Sequence, residues 1–513
     1  MGSIMNRIYS AFLSDKKFLE KISYNNEGYY VHSPRIDKQY QVTVIMPVYN
    51  AEKTLKKTID SVINQTIGFK NIELLIVDDK SNDSSRAIIL EYAKKHSNIV
   101  PVFLKENTGS PAKPRNLGMD LATGKYLMFI DADDWLDNNG IKILHDTLER
   151  TGDNYAIGRT IQVTDKKMEI TGEYNSCETR DSIVPYTIPH LFQHLGPTAR
   201  MMRTTFLKEH HFRFPNMKFA EDKQFFIDVL TNCPTISTTK EVVYYVNRYK
   251  ENKSLVSTTT IFEKTDTNIA VIKYVIQKKL PEKIERMILN RLYEFDCITR
   301  LFNREHFLKS KQKEKYYEKF REVLSTTKEL RYDFTENFFE PWHKVLVNLF
   351  REERYDDIVT LIQWSLRDTT KETVIKDGLP YYRLPFDGKY QFTRITNLAY
   401  HEGLFREENE LLLHFKVYGD HLSELHSFVI RQRHNELNQI ELPIQHVKDN
   451  LYEVRLPYHQ LSELSSNSYA MFIKYCNYRK LYIKMNTRMI LNDGRKKMDF
   501  YTTIGDNFGL SIK

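Results

Sequence analysis

Apolar runs alternate with amphipathic stretches in the first half of the chain. The apolar runs that are typical of buried strands cover residues 42–46, 72–77, 99–104 and 125–130. Between the first two runs, Leu55, Ile59 and Val62 recur at the spacing of one helical face. Strands this apolar, alternating with helices, are typical of a parallel sheet that is covered on both faces. The pattern therefore predicts an α/β domain that binds ligands beyond the carboxyl ends of its strands.

The pattern changes twice in the second half of the chain. From about residue 262 to about 370, long stretches rich in Lys, Glu, Tyr and Leu contain little Gly or Pro, which predicts helices. From about residue 381, short alternating segments between polar turns predict an antiparallel β-sandwich. We therefore expect three domains. They are an α/β domain over residues 1–260 with an N-terminal extension over 1–40, a helical linker over 261–380, and a β-sandwich over 381–513.

The composition is that of a globular protein with more than one core. The chain has 513 residues, of which 41% are apolar and 28% are charged. Its longest apolar runs are far shorter than the roughly 20 residues needed to span a bilayer, and no signal-peptide pattern is present. We therefore expect a cytoplasmic protein. The four cysteines lie far apart without a CxxC pair, so their spacing predicts reduced thiols rather than a disulfide framework or a zinc site.

The net charge allows two interpretations. It is +8, from 75 basic and 67 acidic side chains, and the simpler interpretation is a solvated surface. The other is attraction to an anionic partner, such as a membrane face or a polyphosphate. No nucleic-acid-binding signature accompanies the charge, so we expect no nucleic-acid partner.

Acidic side chains follow the fourth apolar run. Asp131 and Asp133 would emerge at the edge of the sheet, where carboxylate oxygens can hold a hard cation. One or two carboxylates together with substrate phosphates are the usual ligands of Mg²⁺ or Mn²⁺ in proteins. The alternative is that these residues only cap the next turn. Their position at the end of an apolar strand favours the metal site.

Two further segments lie at the same predicted edge. Asp79 follows the second run, where its carboxylate could accept a hydrogen bond from a nucleobase, although turn chemistry is an equal alternative. Residues 107–116 (NTGSPAKPRN) place two cations, one of them Arg115, at the start of a helix. Backbone N–H groups at a helix start favour phosphate, and the alternative is an ordinary loop with Pro114 at the first helical position.

A later acidic pair precedes an apolar helical stretch. Glu221 and Asp222 could cap that helix, or Asp222 could act as a general base. A sugar hydroxyl is a poor nucleophile until a positioned carboxylate takes its proton. Because the other three segments are present, the general base is the stronger hypothesis.

Taken together, these segments resemble the GT-A family-2 glycosyltransferases over roughly residues 41–260. The segments are residues 44–50 (VIMPVYN), 77–79 (VDD), 118–124, 131–133 (DAD) and 221–222 (ED). Residues 109–116 (GSPAKPRN) also resemble the loop GGPGKPRN of the wall-teichoic-acid β-N-acetylglucosaminyltransferases, with Ser110 and Ala112 in place of glycines. The resemblance implies a GT-A nucleotide-sugar-binding, Rossmann-like catalytic domain.

The resemblance also implies a donor site. The residues that would hold the uridine are Pro47, Tyr49, Asp79 and Asn107. Arg115 would lie near the base or the diphosphate. Asp131 and Asp133 would serve the ribose, the diphosphate and a Mn²⁺ or Mg²⁺ ion, and Asp133 is the residue most expected to touch the metal.

On the acceptor side, the resemblance implies that Asp222 removes the proton from the acceptor hydroxyl. Further candidates for contacts to the acceptor or to phosphate are Glu221, Arg159, Arg248 and Ser254. The implied reaction is an inverting transfer of GlcNAc from UDP-GlcNAc to a polyol-phosphate wall teichoic acid of the bacterial cell wall. The implied location is the inner face of the membrane, with peripheral association. The β-sandwich would bind carbohydrate or form a homo-oligomer, a trimer or a dimer.

Two alternatives stay open on the sequence alone. A glycosyltransferase that builds a capsular or other surface polysaccharide would carry the same catalytic motifs. A non-catalytic carbohydrate-binding scaffold could keep the fold, although retention of Asp133 and Asp222 argues against it. A nicotinamide dehydrogenase is disfavoured because no G-x-G-x-x-G follows the first strand.

Overall fold

The computed structural model describes residues 21–32, 38–251, 259–492 and 496–513. The chain divides into two compact units. The first unit comprises residues 1–165 and 170–259, and the second comprises 166–169 and 260–513. Most of the predicted N-terminal extension and the candidate residue Ser254 lie outside the described residues.

The first unit is built from alternating strands and helices. Its strands are β1 (Tyr29–Val31), β2 (Val42–Val48), β3 (Ile72–Asp78), β4 (Ile99–Leu104), β5 (Tyr126–Phe129), β6 (Trp135–Leu136), β7 (Tyr155–Val163), β8 (Met168–Thr171, of which residues 170–171 belong to this unit), β9 (Arg180–Ile183), β10 (Arg200–Arg203) and β11 (Ile236–Asn247). Its helices are α1 (Leu55–Ile63), α2 (Ser85–Lys95), α3 (Ala112–Leu121), α4 (Gly140–Thr151), α5 (Glu173–Ser176), α6 (Thr204–Glu209) and α7 (Glu221–Asn232). The sequence predicted a helix that begins at Pro114, and helix α3 begins two residues earlier, at Ala112.

One sheet organises this unit, in the order β1-β4-β3-β2-β5-β10-β7-β11-β6. Strands β2, β3, β4 and β5 pair in parallel, and so do β7 and β11. Strand β10 runs antiparallel between β5 and β7. The α/β prediction is confirmed, but the sheet is mixed rather than wholly parallel. The antiparallel strand is only four residues long, and its weak apolar signal hid it in the sequence.

The helix that carries Arg115 packs closely on the centre of the sheet. A Cβ atom added at Gly118 in α3 would lie 2.5 Å from Ile45 Cγ2 on β2. At Gly124, just before β5, an added Cβ would lie 2.5 Å from the backbone nitrogen of Thr43. Only glycine allows these approaches, since real Cβ contacts are not this short. The packing therefore fixes the start of α3 at the carboxyl edge of the central strands.

The second unit begins with helices and continues with strands. Its helices are α8 (Ile261–Gln277), α9 (Glu282–Asn290), a π-helical segment (Arg291–Thr299), α10 (Glu305–Lys309), α11 (Lys313–Thr326), α12 (Pro341–Arg351), α13 (Tyr355–Arg367) and α14 (Tyr458–Glu463). Its strands are β12 (Thr373–Lys376), β13 (Leu379–Arg383), β14 (Phe392–Arg394), β15 (Asn397–Arg406), β16 (Glu410–Gly419), β17 (Leu425–Gln432), β18 (Gln439–Pro443), β19 (Gln445–Lys448), β20 (Leu451–Pro457), β21 (Ser468–Tyr475), β22 (Arg479–Lys484), β23 (Met489–Asn492), β24 (Lys497–Thr502) and β25 (Phe508–Ile512).

The strands of the second unit form the predicted β-sandwich. Strands β12 to β14 make a small antiparallel sheet, and the later strands join in the order β19-β20-β16-β15-β22-β21-β25-β24-β23. Burial alternates along β16, so one of its faces meets an apolar core that β15, β17, β20, β21, β24 and β25 share. Across the described ranges, no helix combines the length and the apolar character needed to cross a membrane.

Candidate active site

Residues 131–134 (DADD), the acidic loop, follow β5 and are hydrogen-bonded to the end of β11. Asp134 is buried, and its two carboxylate oxygens accept hydrogen bonds from the Asn247 backbone at 2.7 Å and the Tyr244 hydroxyl at 2.9 Å. The same hydroxyl accepts the backbone N–H of Asp131 at 3.0 Å. Burial, together with the charges of Asp133 and Asp131, raises the pKa of Asp134 well above its usual range. Asp134 therefore anchors the loop, while Asp131 and Asp133 stay half-buried.

Helix α1 fixes the other side of this loop. The Thr58 hydroxyl contacts the carbonyl oxygens of Ala132 at 3.0 Å and of Asp134 at 2.7 Å. The Thr54 hydroxyl also donates to the Ala132 carbonyl, at 2.9 Å. The backbone of the loop is therefore held from both sides, so its two half-buried carboxylates are positioned before any ligand binds.

Arg115 joins the acidic loop to the later acidic pair. It is 3% exposed, and its guanidinium donates to Asp131 at 2.7 Å and to Glu221 at 3.1 Å. The ring of Phe214 lies 5.3 Å from the guanidinium carbon. Burial lowers the pKa of Arg115, but the charges of Asp131 and Glu221 outweigh burial and the net direction is upward. One buried cation therefore bridges residues that are 106 positions apart in the sequence.

The acidic pair lies in the first turn of α7. Ala220 precedes the helix with φ of +70°, in the left-handed region that residues other than glycine seldom occupy. The turn directs Glu221 inward to Arg115 and leaves Asp222 half-buried in the first turn. Burial and the neighbouring Asp222 charge raise the pKa of Glu221 to about 7, against the opposing effect of Arg115. Asp222 lies two positions after the N-cap residue Ala220, and its carboxylate accepts the Lys223 backbone N–H at 2.8 Å, so it also satisfies a donor of the first turn.

The Asp79 carboxylate organises the loop after β4. It accepts the Thr108 backbone N–H at 3.0 Å and the Thr108 hydroxyl at 3.0 Å. The Asn107 side-chain amide donates to the Asp79 backbone carbonyl at 2.9 Å. Burial raises the pKa of Asp79, although the hydrogen bonds from Thr108 act in the opposite direction. The structure thus brings Asp79 and Asn107 together at one end of the sheet.

The remaining predicted residues occupy different places. Pro47 lies on β2 near its carboxyl end, and Tyr49 follows that strand with half of its surface exposed. Arg248 is exposed just after β11, next to the Asn247 that holds Asp134. Arg159 lies within β7, and its guanidinium donates to the Ser176 carbonyl at 3.2 Å.

The chemistry of the acidic loop suits a divalent cation that shares its ligands with a substrate. Asp131 and Asp133 supply carboxylate oxygens, which hard cations prefer. Asp131 already pairs with Arg115, and among the described residues no third His, Cys, Asp or Glu completes a ligand cluster there. These residues fit a cation that takes one or two carboxylates and fills its other positions with phosphate oxygens and water.

Sequence reasoning missed the residues that hold the site in place. The sequence predicts no role for Asp134 or Tyr244, because the contact of Tyr244 to the loop spans 113 positions in the chain. A tyrosine in an apolar strand carries no signal for such a contact. The sequence does not predict the Glu221–Arg115 pair either, because its two residues are 106 positions apart.

Comparison with known proteins gives the family. The model of glycosyl transferase family 2 matches residues 43–218. A glycosyltransferase of Haemophilus influenzae described as uncharacterized is 34% identical over 196 residues, which cover 37% of this chain and 71% of that protein. The chain belongs to glycosyl transferase family 2. It is also similar to the poly(ribitol-phosphate) beta-glucosyltransferase of Bacillus spizizenii, with 28% identity over 264 residues, or 50% of this chain and 40% of that enzyme.

Two solved structures share the fold. The crystal structure of S. aureus TarS has a TM-score of 0.56 at 16% identity, covering 92% of this chain and 85% of that one. A structure of TarS 1-349 in complex with UDP-GlcNAc has a TM-score of 0.56 at 20% identity, covering 69% of this chain and 99% of that one. The predicted GT-A catalytic fold is therefore confirmed. The chain spans less than two thirds of the length of the first curated relatives that it matches.

Proposed function

We propose that this family-2 glycosyltransferase transfers a sugar, GlcNAc from UDP-GlcNAc, to hydroxyls of a polyol-phosphate wall teichoic acid with inversion of configuration. The observation that carries the proposal is the Arg115 bridge between Asp131 and Glu221. It brings a donor-side carboxylate next to the acidic pair that would serve the acceptor. The Bacillus spizizenii relative is named for poly(ribitol-phosphate), and the TarS complex contains UDP-GlcNAc, which supports this choice of acceptor and donor.

The donor would bind across the carboxyl edge of β2, β3 and β5. Pro47, Tyr49, Asp79 and Asn107 would hold the uridine, since all four lie at or near the ends of β2, β3 and β4. Arg115 pairs with Asp131, and its positive charge would favour binding of the donor's diphosphate there. A divalent cation held by Asp133 and Asp131 would supply the positive charge that stabilises the departing diphosphate.

Asp222 would serve as the general base. Its carboxylate takes the proton from the acceptor hydroxyl while that oxygen attacks the anomeric carbon from the side opposite the diphosphate. The bond from the anomeric carbon to the diphosphate oxygen breaks in the same step, so an α-linked donor gives a β-linked product. Glu221 pairs with Arg115, which fixes the start of α7 and thereby the position of Asp222. Arg159, Arg248 and Ser254 are proposed contacts to the acceptor or to phosphate.

The test replaces the base without changing the shape of its side chain. Asp222→Asn should bind UDP-GlcNAc as the wild type does but lower the transfer rate by about 100-fold to 10,000-fold, because proton abstraction is lost. Calorimetry measures donor binding, and the mass of the product measures transfer. Asp228→Asn, later on the same helix, is the matched control and should keep wild-type activity. Wild-type transfer by Asp222→Asn would refute the assignment of the base.

A further inference from the structure

Three potential metal ligands meet in the β-sandwich, far along the chain from the acidic loop. They are His421, Glu424 and Cys476, and their ligand atoms all lie within 4.8 Å of one another. His421 Nδ1 is 2.7 Å from one Glu424 carboxylate oxygen, and Cys476 Sγ is 3.1 Å from the other. An imidazole, a carboxylate and a thiol thus form one compact cluster, with Glu424 in contact with both others.

The fold brings these ligands together through two regular features. His421 precedes the 3-10 turn Leu422–Glu424, and residues three apart eclipse each other in a 3-10 helix, so His421 and Glu424 project to the same side. Strands β17 and β21 are antiparallel with Leu425 opposite Tyr475, which places Glu424 opposite Cys476. The backbone N–H of Cys476 donates to the Glu424 carbonyl at 3.2 Å, which extends the pairing of β17 and β21 by one residue.

The cysteine has an unusual backbone conformation for its residue type. Cys476 has φ of +44°, and Asn477 after it has φ of +68°. Left-handed conformations suit Asn and Gly in a tight hairpin, but they are unfavourable for Cys. Cys476 therefore holds a strained backbone conformation, of the kind that clusters at functional sites, while its thiol contacts Glu424.

We propose that His421, Glu424 and Cys476 bind one zinc ion, with a water molecule as the fourth ligand. Nitrogen, sulfur and oxygen ligands are those that Zn²⁺ prefers, and four-coordination with three protein ligands is common for it. A thiolate and an imidazole select against Mg²⁺, so this site is chemically distinct from the acidic loop. The ion would join the start of β17 to the β21–β22 turn. This site was not predicted, because the sequence lacks a CxxC pair and its ligands meet only through strand pairing.

The experiment uses the tag-free full chain, stripped of metal with a chelator and kept in excess Mg²⁺ so that the acidic loop does not contribute. Titration with Zn²⁺, measured by isothermal calorimetry, should give one bound ion per chain. Titration with Co²⁺ should give the absorption band of a cobalt–thiolate bond. Loss of an outer hydrogen-bond partner of a metal ligand already weakens binding 10- to 100-fold, so loss of a direct ligand in Cys476→Ser or His421→Ala should weaken it by at least about 100-fold.

His459→Ala is the matched control, since His459 is an exposed histidine of the same β-sandwich and should leave Zn²⁺ affinity unchanged. Circular dichroism of the stripped proteins checks that each variant is folded. Cys476→Ser that binds Zn²⁺ as tightly as the wild type overturns the proposal. So does a wild-type protein that gives no cobalt–thiolate band, whatever the variants do.

Discussion

Arg115 carries its charge in a buried position between two acidic side chains. Asp131 lies on one side of that charge, and Glu221 lies on the other and compensates it once the pH exceeds the raised pKa of Glu221, about 7. Removing one partner of a buried pair leaves an uncompensated charge, which typically costs about 3–5 kcal/mol. The three residues therefore act as one electrostatic unit, in which a change at Glu221 alters the charge balance around Arg115.

Glu221 should make stability depend on pH near neutrality. Its pKa is raised from 4.5 to about 7, chiefly by burial, so the folded protein holds this proton more tightly than the unfolded chain does. The resulting stabilisation is complete below the unfolded value and is lost as the pH rises through about 7. Glu221→Gln stays neutral and should remove this loss, which is at most roughly 3 kcal/mol.

Urea denaturation of the wild type and Glu221→Gln at about pH 5 and about pH 8 measures the effect. Glu209→Gln, at an exposed position in α6, should keep the wild-type dependence on pH. If Glu221→Gln loses stability over this interval as the wild type does, the proton is held elsewhere.

At the scale of elements, the acidic loop depends on β11 for its position. The Tyr244 hydroxyl bonds both Asp131 and Asp134, and Tyr244 is fully buried. Tyr244→Phe leaves the half-buried Asp131 N–H and a buried Asp134 carboxylate oxygen without this partner, which should cost about 1–3 kcal/mol. The looser loop should also raise the KM for the donor in the proposed transfer reaction.

The neighbouring tyrosine provides the control for this prediction. The Tyr245 hydroxyl contacts Asp137 at 3.3 Å and is only half-buried, so Tyr245→Phe should change stability by less than about 1 kcal/mol. Thermal unfolding and donor kinetics of both variants make the comparison. Equal effects in the two variants would contradict the anchoring role of Tyr244.

Local patterns predicted most elements of this fold but not their tertiary contacts. The strands β2 to β5 and the helices between them follow from apolar periodicity, which is a local property. The antiparallel insertion of β10 and the left-handed Ala220 before α7 depend on long-range packing. In the candidate site, the acids at strand ends were predicted, whereas Asp134, Tyr244 and the Arg115 bridge were not. Those contacts join segments more than 100 positions apart in most cases, which a local pattern cannot report.

At the scale of the whole molecule, the net charge bears on the acceptor. A polyol-phosphate chain carries repeated negative charges, and this chain has a net charge of +8. Binding of poly(ribitol phosphate) should therefore weaken steeply between about 0.05 M and about 0.5 M salt, because salt screens exposed charges. A binding assay over this series, with a neutral glycan as the control, measures the slope. Affinity for poly(ribitol phosphate) that is flat in salt would favour a neutral surface polysaccharide as the acceptor.

The proposed reaction is the transfer of a sugar from a nucleotide donor to a polyol phosphate at the Arg115-bridged site. The most direct measurement incubates the protein with separate UDP-sugars, Mn²⁺ or Mg²⁺ and poly(ribitol phosphate), and determines the mass of the polymer. We expect the mass to increase by whole N-acetylhexosamine units with UDP-GlcNAc and to stay unchanged with Asp222→Asn. A polymer whose mass does not change with any UDP-sugar would contradict the proposed transfer.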